Sequence, residues 1–479
     1  MGVLDDLSPQ RVFFWFEAIS AIPRGSGNTR QISDFLAKFA QERGLEHIQD
    51  KMGNVIVFKP GAPGYEASEP VILQGHMDMV CEKTPDCPLD MNRDGLRLAV
   101  DGDVIYAEGT TLGGDDGIAV AMLLSLLEDE ALPHPPLECV FTVDEETGMF
   151  GAAALDCSVL RGRRMLNLDS EAEGIFTVSC AGGLRVSAAL PVTRMPFDGE
   201  ALALTVEGLA GGHSGVEIHK GRANASQLLG RLLCALAERT ELRVISVRGG
   251  GKDNAIPARA EALIRVADAG AAEAAVRDME QIFREEFARS DPGLALLVRQ
   301  AEAEMKPMDG ESTHRLLTWL LCLPGGVQAM SQDVEGLVQT SLNLGILTTE
   351  DAAVTARFSV RSALESGKAL LTARIARLTA ALGGGITTEG DYPGWAFRRE
   401  SPLRETLGQV FREQYGHEPV IDAIHAGLEC GLFAGKLPGL DCVSIGPDME
   451  EIHTPGEKLH IASVRRTWAL VTETLARLR

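Results

Sequence analysis

Five short segments of the chain carry acidic and imidazole side chains, and three of the segments come directly after an apolar run. They are residues 74–78, 112–117, 144–148, 167–170 and 451–455. Neutral imidazole and ionised carboxylate groups are the ligands that hold zinc and similar divalent metals. Two metals that share a bridging ligand, about 3.5–4 Å apart, need about five such ligands and leave room for a water molecule. The segments offer two histidines and three carboxylates, with Asp78 and Glu145 beside them.

The position of these segments relative to predicted strands makes the set informative. The chain has 68 aspartates and glutamates, so a lone acidic pair is usually a solvated loop. However, residues 71–73, 137–143 and 165–168 are short apolar, partly β-branched runs, which predict buried strands. The acids and His76 come just after these runs, at the carboxyl ends where open α/β sheets bind their ligands. This shared placement predicts one metal site rather than scattered surface acids.

The composition is that of a globular protein without a basic surface. Of 479 residues, 45% are hydrophobic and 24% are charged, and the formal net charge is −23. Lysine and arginine form no basic stripe, which argues against nucleic acids and anionic membranes as partners. The longest apolar run, residues 118–127, is too short to span a bilayer. The amino-terminal segment has no export-signal pattern and the nine cysteines have no CxxC spacing, so we expect a cytoplasmic protein without a disulfide framework.

The order of predicted elements indicates an α/β fold in which one domain interrupts another. Helices and strands alternate over residues 1–183, antiparallel strands frame long helices over 184–390, and βα alternation resumes over 391–479. The middle segment contains two consecutive α+β units, which predicts an internally doubled, ferredoxin-like domain. His453 lies far along the chain from Asp169 but must join the other ligands. Residues 1–183 and 391–479 are therefore predicted to form one discontinuous catalytic domain.

The segments, in this order, resemble those of the dinuclear-zinc exopeptidases that include carboxypeptidase G, aminoacylase and the cytosolic dipeptidases. Within that superfamily the chain looks most like an aminoacylhistidine (Xaa-His) dipeptidase, on the stretches 22–28, 76–80, 250–257, 341–345 and 392–395. The resemblance covers essentially the whole chain. It implies a zinc-exopeptidase catalytic domain with an inserted lid and dimerisation domain.

The resemblance also implies a role for individual acids and histidines. Asp78 would lie behind the His76 imidazole and fix its orientation. Glu145 would be the general base that accepts a proton from a water bridging two metals, which then attacks the peptide carbonyl. The five implied ligands are His76 and Asp169 for one metal, Glu146 and His453 for the other, and Asp115 as the bridge.

Two neighbouring side chains are rival ligands by their chemistry. Asp116 adjoins Asp115 and the two could exchange roles, but the family pattern places the ligand directly after the small residue, which favours Asp115. His460 follows His453 in the same part of the chain. Because Thr454-Pro455-Gly456 matches the family motif around His453, His460 is interpreted as structural.

The inserted domain is expected to bind substrate. His213, in the stretch 211–215, matches the position whose imidazole polarises the scissile carbonyl in this superfamily, although an ordinary glycine turn is the alternative. In relatives this histidine can reach the other subunit's active site, which implies a homodimer through the inserted domain. Asn254 and Arg361 match further substrate contacts. The Arg361 guanidinium suits a free α-carboxylate, with an internal salt bridge as the alternative.

These inferences predict a cytosolic dinuclear metallodipeptidase that prefers Xaa-His dipeptides. Zinc is the expected metal, although manganese or cobalt also suits two imidazoles in an oxygen-rich set. A broad-specificity dipeptidase or an N-acyl amino acid deacylase on the same scaffold is the alternative. A non-catalytic metal or peptide binder is disfavoured because every ligand and Glu145 are present. Nucleotide binding at residues 112–114 is disfavoured because the segment lacks GxGxxG spacing and a P-loop lysine.

Overall fold

The computed structural model describes residues 2–479, which form two compact units. The first unit contains the described residues up to Ser179 together with Phe397–Ala423 and Leu428–Arg479. The second unit contains Cys180–Ala396 and Ile424–Gly427. Among residues 2–479, no helix combines the length and the apolar character needed to cross a membrane.

The second unit is larger than the predicted insertion. Residues 184–390 lie within it, but so do a few residues on either side and residues 424–427. Backbone pairing is the reason. Cys180 and Trp395 exchange hydrogen bonds, and the Ala181 N–H donates to the carbonyls of Ile424 and Ala426. Residues 180–183, 391–396 and 424–427, which the sequence analysis placed in the catalytic domain, therefore lie in the second unit.

The helices and strands are numbered in chain order. Up to the start of the second unit they are α1 Gln10–Ser20, α2 Arg30–Glu42, β1 Glu46–Gln49, β2 Val55–Lys59, β3 Val71–His76, β4 Leu98–Asp101, β5 Val104–Ala107, α3 Gly114–Glu128, β6 Leu137–Thr142, α4 Phe150–Ala154, β7 Arg164–Asn167 and β8 Ile175–Cys180. The second unit contributes β9 Gly182–Pro191, β10 Glu200–Glu207, β11 Gly212–His213, α5 Ala225–Ala237, β12 Leu242–Gly249, β13 Ala255–Ile256, β14 Ala260–Val266, α6 Ala269–Glu286, β15 Ala295–Gln300, α7 Gly310–Cys322, β16 Gly326–Met330, β17 Val338–Thr349, β18 Ala353–Ser362, α8 Glu365–Ala381 and β19 Gly385–Tyr392. The remaining elements are α9 Pro402–Tyr415, β20 Val420–Ile424, α10 Glu429–Lys436, β21 Asp441–Ser444, β22 Met449–Glu450, β23 Lys458–His460 and α11 Ile461–Arg477.

An eight-stranded sheet lies at the centre of the first unit, in the order β1-β2-β6-β3-β7-β21-β8-β20. Strands β6, β3, β7 and β21 are mutually parallel. Every residue of β3 and β6 is buried, which explains why these strands are continuous apolar runs in the sequence. The predicted α/β fold is thereby confirmed. Because parallel strands share one carboxyl edge, the segments that follow β3, β6 and β7 lie close together.

The second unit is built on a nine-stranded antiparallel sheet. One half, β10-α5-β12-β14-α6-β15, pairs in the order β15-β10-β14-β12, and the other, β9-α7-β17-β18-α8-β19, pairs in the equivalent order β19-β9-β18-β17. Both are ferredoxin-like, so the predicted doubling is present. The halves are nested rather than consecutive, because β9 pairs with β18 and β19 across the whole of the other half. One hydrophobic core spans both halves.

Candidate active site

The acidic and imidazole segments converge at the carboxyl edge of the first unit's sheet. His76 is the last residue of β3, and Asp169 lies just beyond β7. Glu146 follows β6, and Asp115 lies at the start of α3. His453 joins them from the loop between β22 and β23. We call these five side chains the metal cluster.

Asp115 lies between the two imidazoles of the metal cluster. Its Oδ1 is 3.1 Å from His76 Nε2, and its Oδ2 is 3.1 Å from His453 Nε2. His76 Nε2 is also 3.3 Å from Asp169 Oδ1, and His453 Nε2 is 3.0 Å from Glu146 Oε1. Each imidazole nitrogen therefore meets one oxygen of Asp115 and one oxygen of a second carboxylate. This is the arrangement expected of two metal positions that share Asp115 as a bridge.

The charges of the metal cluster fit cations. The side chains of Asp115, Glu146 and Asp169 are 7–8% exposed, and no lysine or arginine of residues 2–479 forms an ion pair with them. Burial alone would raise the pKa of Asp115, but hydrogen bonds from His453 and His76 hold it below its ordinary value. Among residues 2–479, the protonated imidazoles of His76 and His453 are the cationic groups that contact these carboxylates, and bound metal cations would take the place of those protons. The donor set of two imidazoles and three carboxylates therefore suits two divalent metals.

Asp78 connects His76 to the turn that carries Glu145 and Glu146. The Asp78 side chain is fully buried, with Oδ1 3.4 Å from His76 Nδ1. Its oxygens also accept hydrogen bonds from the Glu145 N–H at 3.2 Å, the Glu146 N–H at 3.4 Å and the Ser26 hydroxyl at 2.8 Å. The Asp78 carboxylate thus orients one ligand directly and another through the backbone, as an outer partner of a metal ligand does.

Glu145 carries a carboxyl group suited to proton transfer. Burial raises its pKa to about 7; the charge of His76 opposes this rise and that of Glu146 adds to it. A general base works best when its pKa is near the operating pH. Glu145 therefore has the chemistry of the predicted general base.

The two rival ligands have other partners. Asp116 is fully buried and its Oδ2 accepts a hydrogen bond from the His76 N–H at 3.1 Å. It lies close to His76 and Asp169, but it does not reach both imidazoles as Asp115 does. His460 Nε2 lies 3.1 Å from Glu450 Oε1. The geometry favours Asp115 as the bridge and His453 as the ligand.

A buried polar network below the metal cluster was not recognised in the sequence. Glu429, the first residue of α10, accepts hydrogen bonds from Gln74 Nε2 and Thr142 Oγ1, both at 2.6 Å. The Gln74 Oε1 in turn accepts from Asn167 Nδ2 at 2.6 Å. Gln74, Thr142 and Asn167 lie on the three strands that lead to His76, Glu145 and Asp169, so the network ties those strand ends together. The sequence signal was weak because Glu429 lies far from all three in the chain.

His213 lies in the second unit on β11. This strand pairs with β13, which begins at the residue after Asn254. His213 Nδ1 accepts hydrogen bonds from the Gly215 and Val216 N–H groups, both at 3.2 Å. Burial, followed by the charge of Arg361, lowers the pKa of His213. A neutral ring whose Nδ1 is an acceptor carries its proton on Nε2, so His213 presents one N–H donor. Asn254 is exposed, and its backbone carbonyl accepts a hydrogen bond from the Ser214 N–H at 2.9 Å.

Arg361 is 9% exposed and has no acidic partner within residues 2–479. Its Nη1 donates a hydrogen bond to the Tyr392 hydroxyl at 3.4 Å, and its Nε is buried without a partner. This geometry gives no support to the alternative of an internal salt bridge. Ser341 is its register partner on β17, and the Ser341 Oγ lies 2.7 Å from His425 Nε2. We call His213, Ser341, Arg361, Tyr392 and His425 the arginine cluster.

Ser341, Tyr392 and His425 received no role from the sequence, although the first two lie in stretches that carried the resemblance. Burial and the charge of Arg361 lower the pKa of His425 to about 4. The His425 ring therefore stays neutral beside the guanidinium. An unpaired buried arginine with neutral polar neighbours suits an anionic group such as a carboxylate.

The chain matches a known protein family over most of its length. The sequence model of the family described as Peptidase family M20/M25/M40 matches residues 72–477. The chain is 38% identical over 479 residues to a protein of Escherichia coli (strain K12) named cytosol non-specific dipeptidase, with 99% of each chain covered. This similarity confirms the resemblance described from the sequence.

Solved structures agree with the sequence comparison. The structure of aminoacylhistidine dipeptidase from Vibrio alginolyticus superposes with a TM-score of 0.95 at 34% identity, covering 99% of this chain and 98% of that chain. Aminopeptidase PepT from Bacillus cereus superposes with a TM-score of 0.57 at 17% identity, covering 98% of this chain and 99% of that one. The second match shows a shared fold only.

Proposed function

Because this chain belongs to peptidase family M20/M25/M40, we propose that it is a metal-dependent dipeptidase that uses the metal cluster for hydrolysis. The observation that carries the proposal is Asp115, whose two carboxylate oxygens each lie 3.1 Å from a different imidazole. Full-length similarity to a named dipeptidase supports the reaction class. The name of that relative also supports action in the cytosol.

Two divalent cations are the proposed cofactors, with zinc as the first choice and manganese or cobalt as alternatives. His76 and Asp169 would hold one cation, Glu146 and His453 the other, and Asp115 would contact both. When bound, such cations polarise a carbonyl oxygen and lower the pKa of a coordinated water, from about 15.7 to about 7 at a single zinc.

The side chains of this protein would perform the remaining steps. Glu145 accepts the proton of the attacking water and delivers it to the amine that leaves. His213 donates its Nε2–H to the carbonyl oxygen as negative charge develops there. Arg361 binds the carboxylate of the substrate's carboxyl-terminal residue, where a guanidinium can donate two parallel hydrogen bonds. Asn254, on the loop beside His213, would add a further substrate contact.

We propose dipeptides with a free carboxylate as substrates, with Xaa-His preferred. The name of the Vibrio structure, aminoacylhistidine dipeptidase, supports this preference. The name of the E. coli relative, non-specific dipeptidase, favours the second candidate, a dipeptidase of broad specificity. An N-acyl amino acid deacylase remains the third candidate, supported only by the scaffold.

A matched substrate panel tests these alternatives. The metal-reconstituted protein is assayed on Xaa-His, Xaa-Leu, amidated Xaa-His and N-acetyl amino acids, and kcat/KM is compared. We expect hydrolysis of free dipeptides, with Xaa-His fastest and the amidated peptide poor. Equal rates for Xaa-His and Xaa-Leu would move the assignment to the broad dipeptidase, and faster cleavage of N-acetyl amino acids would move it to the deacylase.

We propose further that the protein is a homodimer through the second unit. Exposed apolar side chains on this unit support the proposal, among them Leu321, Val327, Met330 and Leu370 at 37–60% exposure. Hydrogen bonding between Arg374 and Gln328 joins α8 to β16, which carry three of these side chains. Light scattering of the full chain should give twice the 51.3 kDa chain mass, and the mass of a single chain would contradict the dimer.

A further inference from the structure

Glu457 binds the backbone of the loop that leads to Asp115. One carboxylate oxygen accepts hydrogen bonds from the Leu112 and Gly113 N–H groups at 2.8 and 3.0 Å. The other accepts from the Gly114 and Asp115 N–H groups at 2.8 and 3.4 Å. Glu457 is 2% exposed. A single buried carboxylate thus holds four consecutive amides, the last of which belongs to the proposed bridging residue.

Arg24 binds the same loop from its carbonyl side. Its Nη2 donates to the Gly113 carbonyl at 2.5 Å. Its Nη1 donates to the carbonyls of Met77 and Asp78, both at 3.1 Å, directly after His76. Arg24 is 1% exposed, so its charge lies buried near that of Glu457. The two side chains together connect three ligand-bearing segments.

The glycines of the loop make this arrangement possible. A Cβ on Gly113 would lie 2.5 Å from Arg24 Nη2, and one on Gly117 would contact the same atom more closely still. Gly113 also has a φ of +65°, a conformation that favours glycine. The sequence Leu112-Gly113-Gly114 is thereby explained as room for a buried guanidinium rather than as a nucleotide-binding turn.

Asp115 needs such external support because its own helix does not hold it. Asp115 has φ −79° and ψ 107°, and Asp116 has φ −113° and ψ 32°, so neither is helical although both lie within α3. The first N–H groups of a helix also lack partners inside that helix. Glu457 supplies acceptors to these amides, so the main-chain position of Asp115 depends on Glu457 rather than on helical hydrogen bonding.

We propose that Glu457 and Arg24 are positioning residues that hold Asp115 where it can contact both metals, a role that rests on the metal centre proposed above. Glu457 acts from the segment that carries His453, only four residues away. Arg24 acts from a segment that contacts the two residues after His76. Neither side chain contacts the metals or the substrate in this role. Together they set the distance between the two imidazoles that Asp115 must bridge.

The test measures Zn²⁺ affinity of the full chain by competition with a chromophoric chelator, without substrate. Glu457→Gln keeps the shape but replaces one acceptor oxygen with an NH₂ group that faces two N–H donors. We expect Zn²⁺ to bind roughly 10–100-fold more weakly, as for lost outer partners of metal ligands. Arg24→Lys keeps the charge but its single ammonium cannot serve three carbonyls, so it should weaken Zn²⁺ binding in the same direction.

Glu138→Gln is the matched control. Glu138 is 3% exposed and also accepts backbone hydrogen bonds, from the Arg161 and Gly162 N–H groups at 2.9–3.1 Å, but it lies at the amino-terminal end of β6. The Glu138→Gln variant should lower the thermal unfolding temperature as Glu457→Gln does, but it should leave the Zn²⁺ affinity unchanged.

The outcomes separate this inference from the proposed function. Wild-type protein that binds no Zn²⁺ would overturn the metal centre itself. Wild-type protein that binds two equivalents, with Glu457→Gln of equal affinity, would overturn only the positioning role. Equal weakening in Glu457→Gln and Glu138→Gln would likewise reduce the role to general stability. If Glu457→Gln does not fold, unchanged affinity in Arg24→Lys overturns the inference and weakened affinity upholds it.

Discussion

The two clusters each contain a pair of histidines, and the pKa values of these pairs shift in opposite directions. In the metal cluster, hydrogen bonds to Asp115 and Glu146 raise the pKa of His453 to about 10. Burial would lower the pKa of His76, but the charge of Asp169 and hydrogen bonds to its carboxylate neighbours hold it well above its ordinary value. In the arginine cluster, burial and the charge of Arg361 lower the pKa of both His213 and His425.

The difference shows that the surroundings, rather than the residue type, decide what an imidazole does. Carboxylates around His76 and His453 favour positive charge, either the protons of the imidazoles or metal cations for which the deprotonated imidazoles would serve as ligands. A buried guanidinium beside His213 and His425 keeps both rings neutral, and the cluster suits negative charge on a substrate. The proposed dipeptidase reaction would use both sites, one to hold the cations that activate the reaction and the other to bind the carboxylate of the substrate.

Removal of the Asp115 carboxylate should give the largest loss of metal and of activity. Asp115→Ala leaves His76 and His453 without their shared partner, so we expect loss of both metals and of measurable hydrolysis. His453→Ala should lose metal as well. His460→Ala is the control, since His460 contacts Glu450 instead, and it should keep both. Metal content per chain and dipeptide turnover are the measurements, and retained metal in Asp115→Ala would contradict the bridge.

Glu145→Gln separates proton transfer from metal binding within the metal cluster. The amide keeps the shape of the carboxylate but cannot accept a proton. We expect kcat to fall by roughly 10²–10⁴-fold with near-full metal occupancy. Glu146→Ala, by comparison, should lose metal. Equal metal loss in the two variants would make Glu145 a ligand and remove it as the general base.

Arg361→Ala tests whether the arginine cluster binds an anion. Loss of a charge-assisted, largely buried contact costs about 1.5–3 kcal/mol, so KM should rise about tenfold or more while kcat changes less. Arg357→Ala is a matched control because Arg357 is exposed on the same strand, β18. The Arg361→Ala variant should also lose discrimination against amidated dipeptides. Full discrimination in Arg361→Ala would place carboxylate recognition elsewhere.

The pH dependence of unfolding tests whether His425 is neutral in the folded chain. Its pKa is lowered from 6.5 to about 4, so between these pH values His425 is protonated in the unfolded chain and neutral in the folded chain. This contribution to stability is present above about pH 6.5 and is lost as the pH falls towards 4. Denaturant titrations should show that His425→Gln loses less free energy of unfolding over this range than wild type does. Parallel curves would contradict a neutral His425.

Much of the metal cluster was predictable because its information is local. Apolar runs predict β3, β6 and β7, and the polar residues after them must lie at one edge of a parallel sheet. The family resemblance then assigned roles to His76, Asp115 and His453. The choice of glycine at position 113 is also explained locally, because the backbone there has a positive φ, which favours glycine.

The sequence by itself determined the ligand chemistry, the α/β fold and the doubled second unit, since periodicity and short motifs encode these. Only the tertiary structure decided that the two halves are nested, that Arg361 has no acidic partner among residues 2–479, and that Glu457 accepts hydrogen bonds from the loop before Asp115. Glu457 and Leu112 are 345 residues apart, and Arg24 and Gly113 are 89 apart. A buried charge is stable only beside its partners, and partners at such separations are brought together by the fold alone.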